Sequence, residues 1–261
     1  MEPLFCRKPL QAPVFKLLQQ AGERSGIPLF IIGGYVRDYL LGRPGKDIDV
    51  VGLGNGVAAA EAFAEVSGAV KVAVYENFGT ALVRYGDYEI EFVGARKESY
   101  RADSRKPIVE NATQQEDQLR RDFTVNALAL ALQHDRFGEL IDPFGGVQHL
   151  RERLLVTPTN PSLTFSDDPL RMLRAARFAA VLEFEVAPSV YEAMQQNQER
   201  IDIVSQERIT EELNKLMMAP KPSIGYKLLF KTGLLHRIFP EMVKLHGVER
   251  REGIGHKDNF F

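Results

Sequence analysis

The chain has 261 residues, 44% of them hydrophobic and 26% charged, with a formal net charge of −2 at pH 7. These are ordinary values for a globular protein with a sizeable core, and the near-neutral balance gives no bulk sign of nucleic-acid binding, so any such role must rest on local patches. A single cysteine, Cys6, excludes an internal disulfide and fits a reducing cytoplasm; with no apolar leader in "MEPLFCRKPLQAP" and no apolar run near the roughly 20 residues of a membrane span, a cytoplasmic protein without a membrane partner is expected.

In chain order, residues 13–25 show Val14, Leu17, Leu18 and Ala21 at helical spacing. "IPLFIIGG" is a short β-branched run ended by glycine and predicts a buried strand. "YVRDYLLG" predicts one or two helical turns stopped at Gly42, and "KDIDVVGLG" a second strand. "GVAAAEAFAEVSG" predicts a helix of good formers closed by Gly68. "AVKVAVYENFGTALVRYGDYEIEFVGA" predicts a three-strand meander with turns at 76–79 and 85–87. Residues 98–117 are polar, mix both charge signs and read as a mobile loop. "QLRRDFTVNALALAL" predicts a helix with an apolar side, and "FGELIDPFGG" a short hairpin or turn. From Asp167 onward, segments separated by Pro or Gly all read as helices. The expected fold is an α+β head with a mixed sheet, residues 1–157, followed by an all-helical region, residues 158–261.

Chemistry concentrates in a few stretches. Asp47 and Asp49 are two apart in a strand and project to one face. Close like charges are costly unless a cation neutralises them, and an oxygen-only pair suits Mg²⁺, which keeps waters and binds substrate phosphates. The plainer alternative is a strand end with two solvated aspartates. Gly33 and Gly34 end the preceding strand, where backbone can approach a ligand and a helix N-terminus favours an anion. Arg37 on that helix could make a bidentate phosphate contact; the plainer alternative is a tight turn and a surface arginine. A third carboxylate is wanted for two-metal phosphoryl chemistry. Glu89 and Glu91 share a strand face, and Glu91, deeper in the run, is preferred.

In "LRRDFTVNALAL", Arg121 could hold a triphosphate, with Asp122 and Asn126 orienting it. Read as a helix start, the stretch also allows a simple cap at Asp122, but an arginine there opposes the helix dipole, which favours a ligand role. In "DDPLRMLRAARF", Asp168, Arg171, Arg174 and Arg177 recur every three residues and share a broad side of a helix. They could be a solvated, self-paired face. Alternatively, a carboxylate accepts from an exocyclic amino group while arginine donates to ring acceptors, a combination that reads cytosine or adenine.

Taken together, "GGYVRDYLLGRPGKDIDVV", "EIEFVGARKESY", "LRRDFTVNALAL", "IDPFGGVQHLRERLL" and "SDDPLRMLRAARFAA" resemble the class II tRNA nucleotidyltransferase and bacterial poly(A) polymerase family, over nearly all of residues 30–185. The resemblance implies a nucleotidyltransferase head, a helical neck that selects the nucleotide, and a helical body that holds tRNA. It implies Asp47 and Asp49 as ligands of Mg²⁺, Gly34, Arg37 and Arg121 as phosphate contacts with Gly33 beside them, and Glu91 as the acidic position of the following strand. It assigns base reading to Asp168 and Arg171, with Arg174 and Arg177 as further nucleotide-binding arginines. The implied reaction adds CCA to tRNA 3′ ends from CTP and ATP, with pyrophosphate release and no covalent enzyme intermediate. Residues 97–117 correspond to the family's flexible loop, and its full length argues against a strict CC-adding enzyme. The terminal "HKDNF" resembles the start of an HD-type phosphohydrolase domain, so a chain shortened before that domain is expected. The rival readings are a poly(A) polymerase or A-adding enzyme of the same family and, more distantly, a nucleotide- or RNA-binding module without catalysis.

Overall fold

The computed structural model describes residues 6, 8–43, 45–69, 71–75, 79–99 and 108–246. The expectations placed on residues 100–107 and on the terminal "HKDNF" lie outside them, as does the centre of the turn at 76–79. The chain divides into two compact units, residues 1–150 and 151–261.

The first unit is built on a seven-stranded mixed sheet. Its elements are α1 (Pro13–Ser25), β1 (Leu29–Ile32), α2 (Gly34–Leu40), β2 (Asp47–Gly52), α3 (Gly56–Ser67), β3 (Val72–Tyr75), β4 (Thr80–Tyr85), β5 (Tyr88–Gly94), β6 (Arg96–Ser99), β7 (Ile108–Asn111), α4 (Gln114–Leu119), β8 (Ala129–Ala131), β9 (Leu140–Ile141) and α5 (Gly146–Glu152). The strand order is β3-β4-β5-β2-β1-β8-β9. Only β2 and β5 run parallel, because α3 and the β3–β4 hairpin carry the chain across between them; the other neighbours are antiparallel.

Local sequence explains the boundaries. Pro13 opens α1, where its missing N–H costs nothing, and Gly26 closes it at φ 68°. Asn55 caps α3 by accepting from the Val57 and Ala58 N–H groups. β1 is buried along its whole length, as its unbroken apolar run requires. The α3 side of the sheet holds Phe63 and Phe92, both fully buried, with ring centroids 5.6 Å apart. Burial of each such ring contributes about 1.5–3 kcal/mol.

Residues 118–132 are not the amphipathic helix their spacing predicts. α4 ends at Leu119, Thr124–Asn126 form a 3-10 turn, and Ala129–Ala131 form β8 between β1 and β9. Leu128, Ala129, Leu130 and Ala131 are all 0% exposed. A stretch apolar on every side is equally good as a central strand, and the two open edges beside it decide the outcome. The polar segment before it is also more regular than a loop: β6 and β7 pair antiparallel, with Arg96 opposite Asn111. α4 follows, begun by a reciprocal capping box between Thr113 and Glu116.

Among its described residues, the second unit is helical apart from a two-residue parallel pairing of β10 (Leu154–Leu155) with β11 (Glu185–Val186). Its helices are α6 (Pro161–Asp167), α7 (Leu170–Leu182), α8 (Pro188–Asn197), α9 (Gln206–Met217), α10 (Pro222–Lys231), α11 (Leu234–Ile238) and α12 (Pro240–Val243). α7 is the central rod, packed by α9 and α10. Gly225 of α10 permits the close crossing, since a Cβ there would lie 2.6 Å from the Ala176 carbonyl oxygen. Among the described residues, no helix is long and apolar enough to cross a membrane.

Candidate active site

The head unit gathers its polar groups at the end of β1. Gly33 follows that strand at φ 79° and ψ −128°, a conformation L side chains rarely adopt. A Cβ on Gly33 would lie 3.2 Å from Arg121 Nη1, 3.5 Å from Asp49 Oδ2 and 3.5 Å from the Asn126 carbonyl oxygen. Residues far apart in sequence therefore converge on a glycine that leaves room for them. Gly34 begins α2, and Arg37, one turn later, is buried at 8% exposure.

Arg37 is held from two sides. Its Nε and Nη2 donate to the Asp38 carboxylate at 2.7 and 2.8 Å, and its Nη1 donates to Asn126 Oδ1 at 2.6 Å. Asn126 Nδ2 in turn donates to Asp122 Oδ1 at 3.0 Å, which also accepts the Phe123 N–H at 2.8 Å. Asp122 and Asn126 thus orient an arginine. Arg121 does not open a helix: it follows Arg120, the C-cap of α4. Its charge agrees with the helix dipole there, so the dipole argument for a ligand role falls. What marks Arg121 instead is its place beside Gly33 and Asp49.

The carboxylates lie on β2 and β5. Asp47 is exposed and Asp49 half-buried, with Ile48 between them turned into the core. The parallel register sets Glu89 opposite Asp47 and Glu91 opposite Asp49. Burial pushes the Asp49 carboxyl upward; Arg121 opposes this, Asp47 adds to it and Arg37 opposes it. Glu91 is likewise raised, by burial and then by the Asp49 charge, with Arg96 opposing. Two carboxylates on one face, with the Asp47 charge disfavouring that of Asp49, form a donor set suited to a divalent cation bound through oxygen. Among the described residues, no three His, Cys, Asp or Glu groups form a ready-made cage.

The second unit holds the other group of predicted residues. Asp168 is not on the arginine helix. It lies between α6 and α7 with extended backbone, because the following Pro169 disfavours helical geometry at the preceding residue. Its Oδ1 accepts the Leu170 N–H at 3.2 Å, and its Oδ2 pairs with Arg208 of α9 at 2.9 Å. The Arg171 N–H donates to the Asp168 carbonyl at 3.0 Å. Arg177 Nε donates to Glu212 Oε2 at 2.6 Å and its guanidinium lies 4.1 Å from the Phe178 ring centre. Arg174 lies 4.0 Å from the other Glu212 oxygen. Glu212 is 4% exposed, and so buried a carboxylate needs these partners.

Three residues of these clusters escape a reading of the sequence. Asp117 stands four residues before Arg121, a helical pairing distance that could have revealed it. Arg208 and Glu212 meet residues 40 and 35 positions away, and no local spacing signals such contacts.

Known proteins resemble this chain over both of its units. Residues 29–156 match the family described as "Poly A polymerase head domain". Residues 183–245 match "Probable RNA and SrmB- binding site of polymerase A". The chain is 40% identical to the A-adding tRNA nucleotidyltransferase of Aquifex aeolicus over 167 residues, which is 64% of this chain and 20% of that protein. It is 36% identical to the CCA-adding enzyme of Anoxybacillus flavithermus over 214 residues, 81% of this chain and 52% of that enzyme. A crystal structure of a tRNA nucleotidyltransferase complexed with a primer tRNA and an incoming ATP analog superposes with a TM-score of 0.76 at 30% identity, covering 87% of this chain and 65% of that one. The chain thus spans about half or less of the length of these two curated relatives. With head and RNA-binding region both matched in order, the chain belongs to the class II tRNA nucleotidyltransferase and poly(A) polymerase family.

Proposed function

We propose that this chain carries the catalytic head and nucleotide-selecting neck of an enzyme that adds CCA to tRNA 3′ ends from CTP and ATP. The observation that carries the reading is the convergence of Arg121, Asp49 and the Asn126 turn on the side-chain-free space at Gly33. Phosphoryl transfer needs positioning and charge stabilisation more than covalent chemistry, and this cluster offers both. Arg37 and Arg121 supply cationic donors for the triphosphate, and Gly33 with Gly34 lets it approach the backbone at the start of α2. Asp47 and Asp49 would hold Mg²⁺, and Glu91, opposite Asp49 on the neighbouring strand, adds negative charge beside them. When bound, the ion neutralises phosphate charge and lowers the pKa of the attacking hydroxyl.

In the reaction, the 3′ hydroxyl oxygen of tRNA bonds to the α-phosphorus of CTP or ATP. The bond from that phosphorus to its bridging oxygen breaks, pyrophosphate leaves and the hydroxyl proton is released. Asp168 and Arg171 select the base, the carboxylate accepting from the exocyclic amino group and the guanidinium donating to the ring acceptor. Arg174 and Arg177 add positive charge beside that pair.

Restriction to the final A is the second reading, favoured by the identity with the A-adding protein of Aquifex aeolicus. Incubation with Mg²⁺ and tRNA ending before C, after C or after CC, offering CTP or ATP singly, separates the two. Incorporation of both nucleotides supports CCA addition; incorporation of ATP alone, on the CC end alone, replaces it with A addition.

A further inference from the structure

The head unit buries a carboxylate that the proposed reaction leaves unused. Asp117, in the last turn of α4, is 0% exposed. Its Oδ1 accepts from Arg120 Nη2 at 2.8 Å and from the Arg96 N–H at 3.4 Å, and its Oδ2 accepts from Arg121 Nη2 at 3.2 Å. Gln114, Asp117, Gln118 and Arg121 recur three or four residues apart and share one side of α4 and its C-terminal extension. That side is packed through polar groups: Gln118, 1% exposed, donates to the Ala127 carbonyl at 2.6 Å and the Ile141 carbonyl at 3.2 Å. A charge so enclosed needs partners, and the partners it has include the arginine beside the catalytic carboxylates.

Arg121 is poorly held otherwise. Its Nε is buried without a hydrogen-bond partner among the described residues, and its Nη1 is the atom nearest the space at Gly33. The contact with Asp117 therefore fixes which edge of the guanidinium faces that space. We propose that Asp117 is a positioning residue, which holds Nη2 of Arg121 so that Nη1 is aimed at the floor formed by Gly33 and Asp49. Through the Arg96 N–H it also ties that aim to the first residue of β6. The proposal rests on the reading of Arg121 as a triphosphate contact.

The test is calorimetric titration of the whole chain with CTP and with ATP in Mg²⁺ without RNA, for wild type, Asp117→Asn, Arg121→Gln and the double variant. Asp117→Asn is expected to weaken both nucleotides about tenfold, close to the loss of one charge-assisted contact. In the Arg121→Gln background the same change should add less than twofold, because a residue that acts through Arg121 has nothing left to position. A purely structural role would give additive losses, which would overturn the proposal, as would affinity within twofold of wild type for Asp117→Asn. If wild type binds neither nucleotide, the functional reading itself fails and takes the proposal with it. Should Asp117→Asn not fold, Arg120→Gln decides. That variant keeps the Asp117–Arg121 contact and should bind within threefold of wild type, whereas a loss as large as that of Arg121→Gln would contradict the assignment.

Discussion

Arg37 and Asn126 are joined by a 2.6 Å hydrogen bond across 89 residues of chain, and it locks α2 to the 3-10 turn that follows Arg121. Both residues are buried, at 8% and 6% exposure. Asn126→Ala should therefore cost about 1–3 kcal/mol of stability, as removal of a buried partner does. It should also raise the nucleotide KM, because Arg37 loses one of its two fixed sides. Urea unfolding and steady-state kinetics check both; unchanged stability would contradict the bond's place in the core.

Gly33 is the position where a single methyl should do most harm. Its φ of 79° and ψ of −128° cost an L residue about 1–3 kcal/mol. The added Cβ would also stand 3.2 Å from Arg121 Nη1. Gly33→Ala is expected to lower kcat/KM at least tenfold beyond any loss of folded protein. Retained activity in the folded fraction would show that the space at Gly33 is not used.

Acid should unfold the head partly through Asp117. Burial pushes its carboxyl upward, but Arg121, Arg120 and the hydrogen bonds from Arg120 and the Arg96 N–H more than offset this, leaving it below the ordinary value of 3.8. A folded-state pKa held below the unfolded value stabilises above the unfolded pKa, and that stability is lost as pH falls through the folded one. Wild type should therefore exceed Asp117→Asn in stability at pH 7, with the gap closing below about pH 4. Chemical denaturation at several pH values measures this; a gap that does not change with pH would contradict it.

Selection of the base should depend on Asp168. Its Oδ2 is held by Arg208 at 2.9 Å, so the carboxylate is fixed before any base arrives. Asp168→Ala should relax the preference for CTP and ATP over UTP and GTP by about tenfold or more, the scale of a lost pair of base-reading contacts. Competition among the four nucleotides reads this out. Selectivity that survives the change would remove base reading from Asp168.

Much of the head was legible because its signals are local. Pro13 and Gly26 bracket α1, the run "LFII" can only be a buried strand between its flanking elements, and the alternation in "DIDVV" puts Asp47 and Asp49 on one face. Residues 118–132 were misread because their apolar side chains surround the backbone, and only the neighbouring strand edges decide between helix and strand. The same misreading placed Arg121 at a helix start and hid Asp117, whose burial depends on both arginines. In the helical unit the elements were legible from Pro and Gly punctuation, while Asp168 was drawn onto the α7 face although Pro169 keeps it off the helix. Its pairing with Arg208, and that of Arg177 with Glu212, arises from packing of α7 against α9, which no window of sequence contains.

In the proposed function, nucleotide addition to tRNA depends on Asp47 and Asp49. The most direct measurement is sequencing of the 3′ ends of tRNA lacking CCA after incubation with the chain, CTP, ATP and Mg²⁺, beside Asp47→Ala and Asp49→Ala. Wild type is expected to give ends completed to CCA and either variant unextended ends, both variants remaining folded. Unextended ends with folded wild-type protein, or normal extension by either variant, would contradict that dependence.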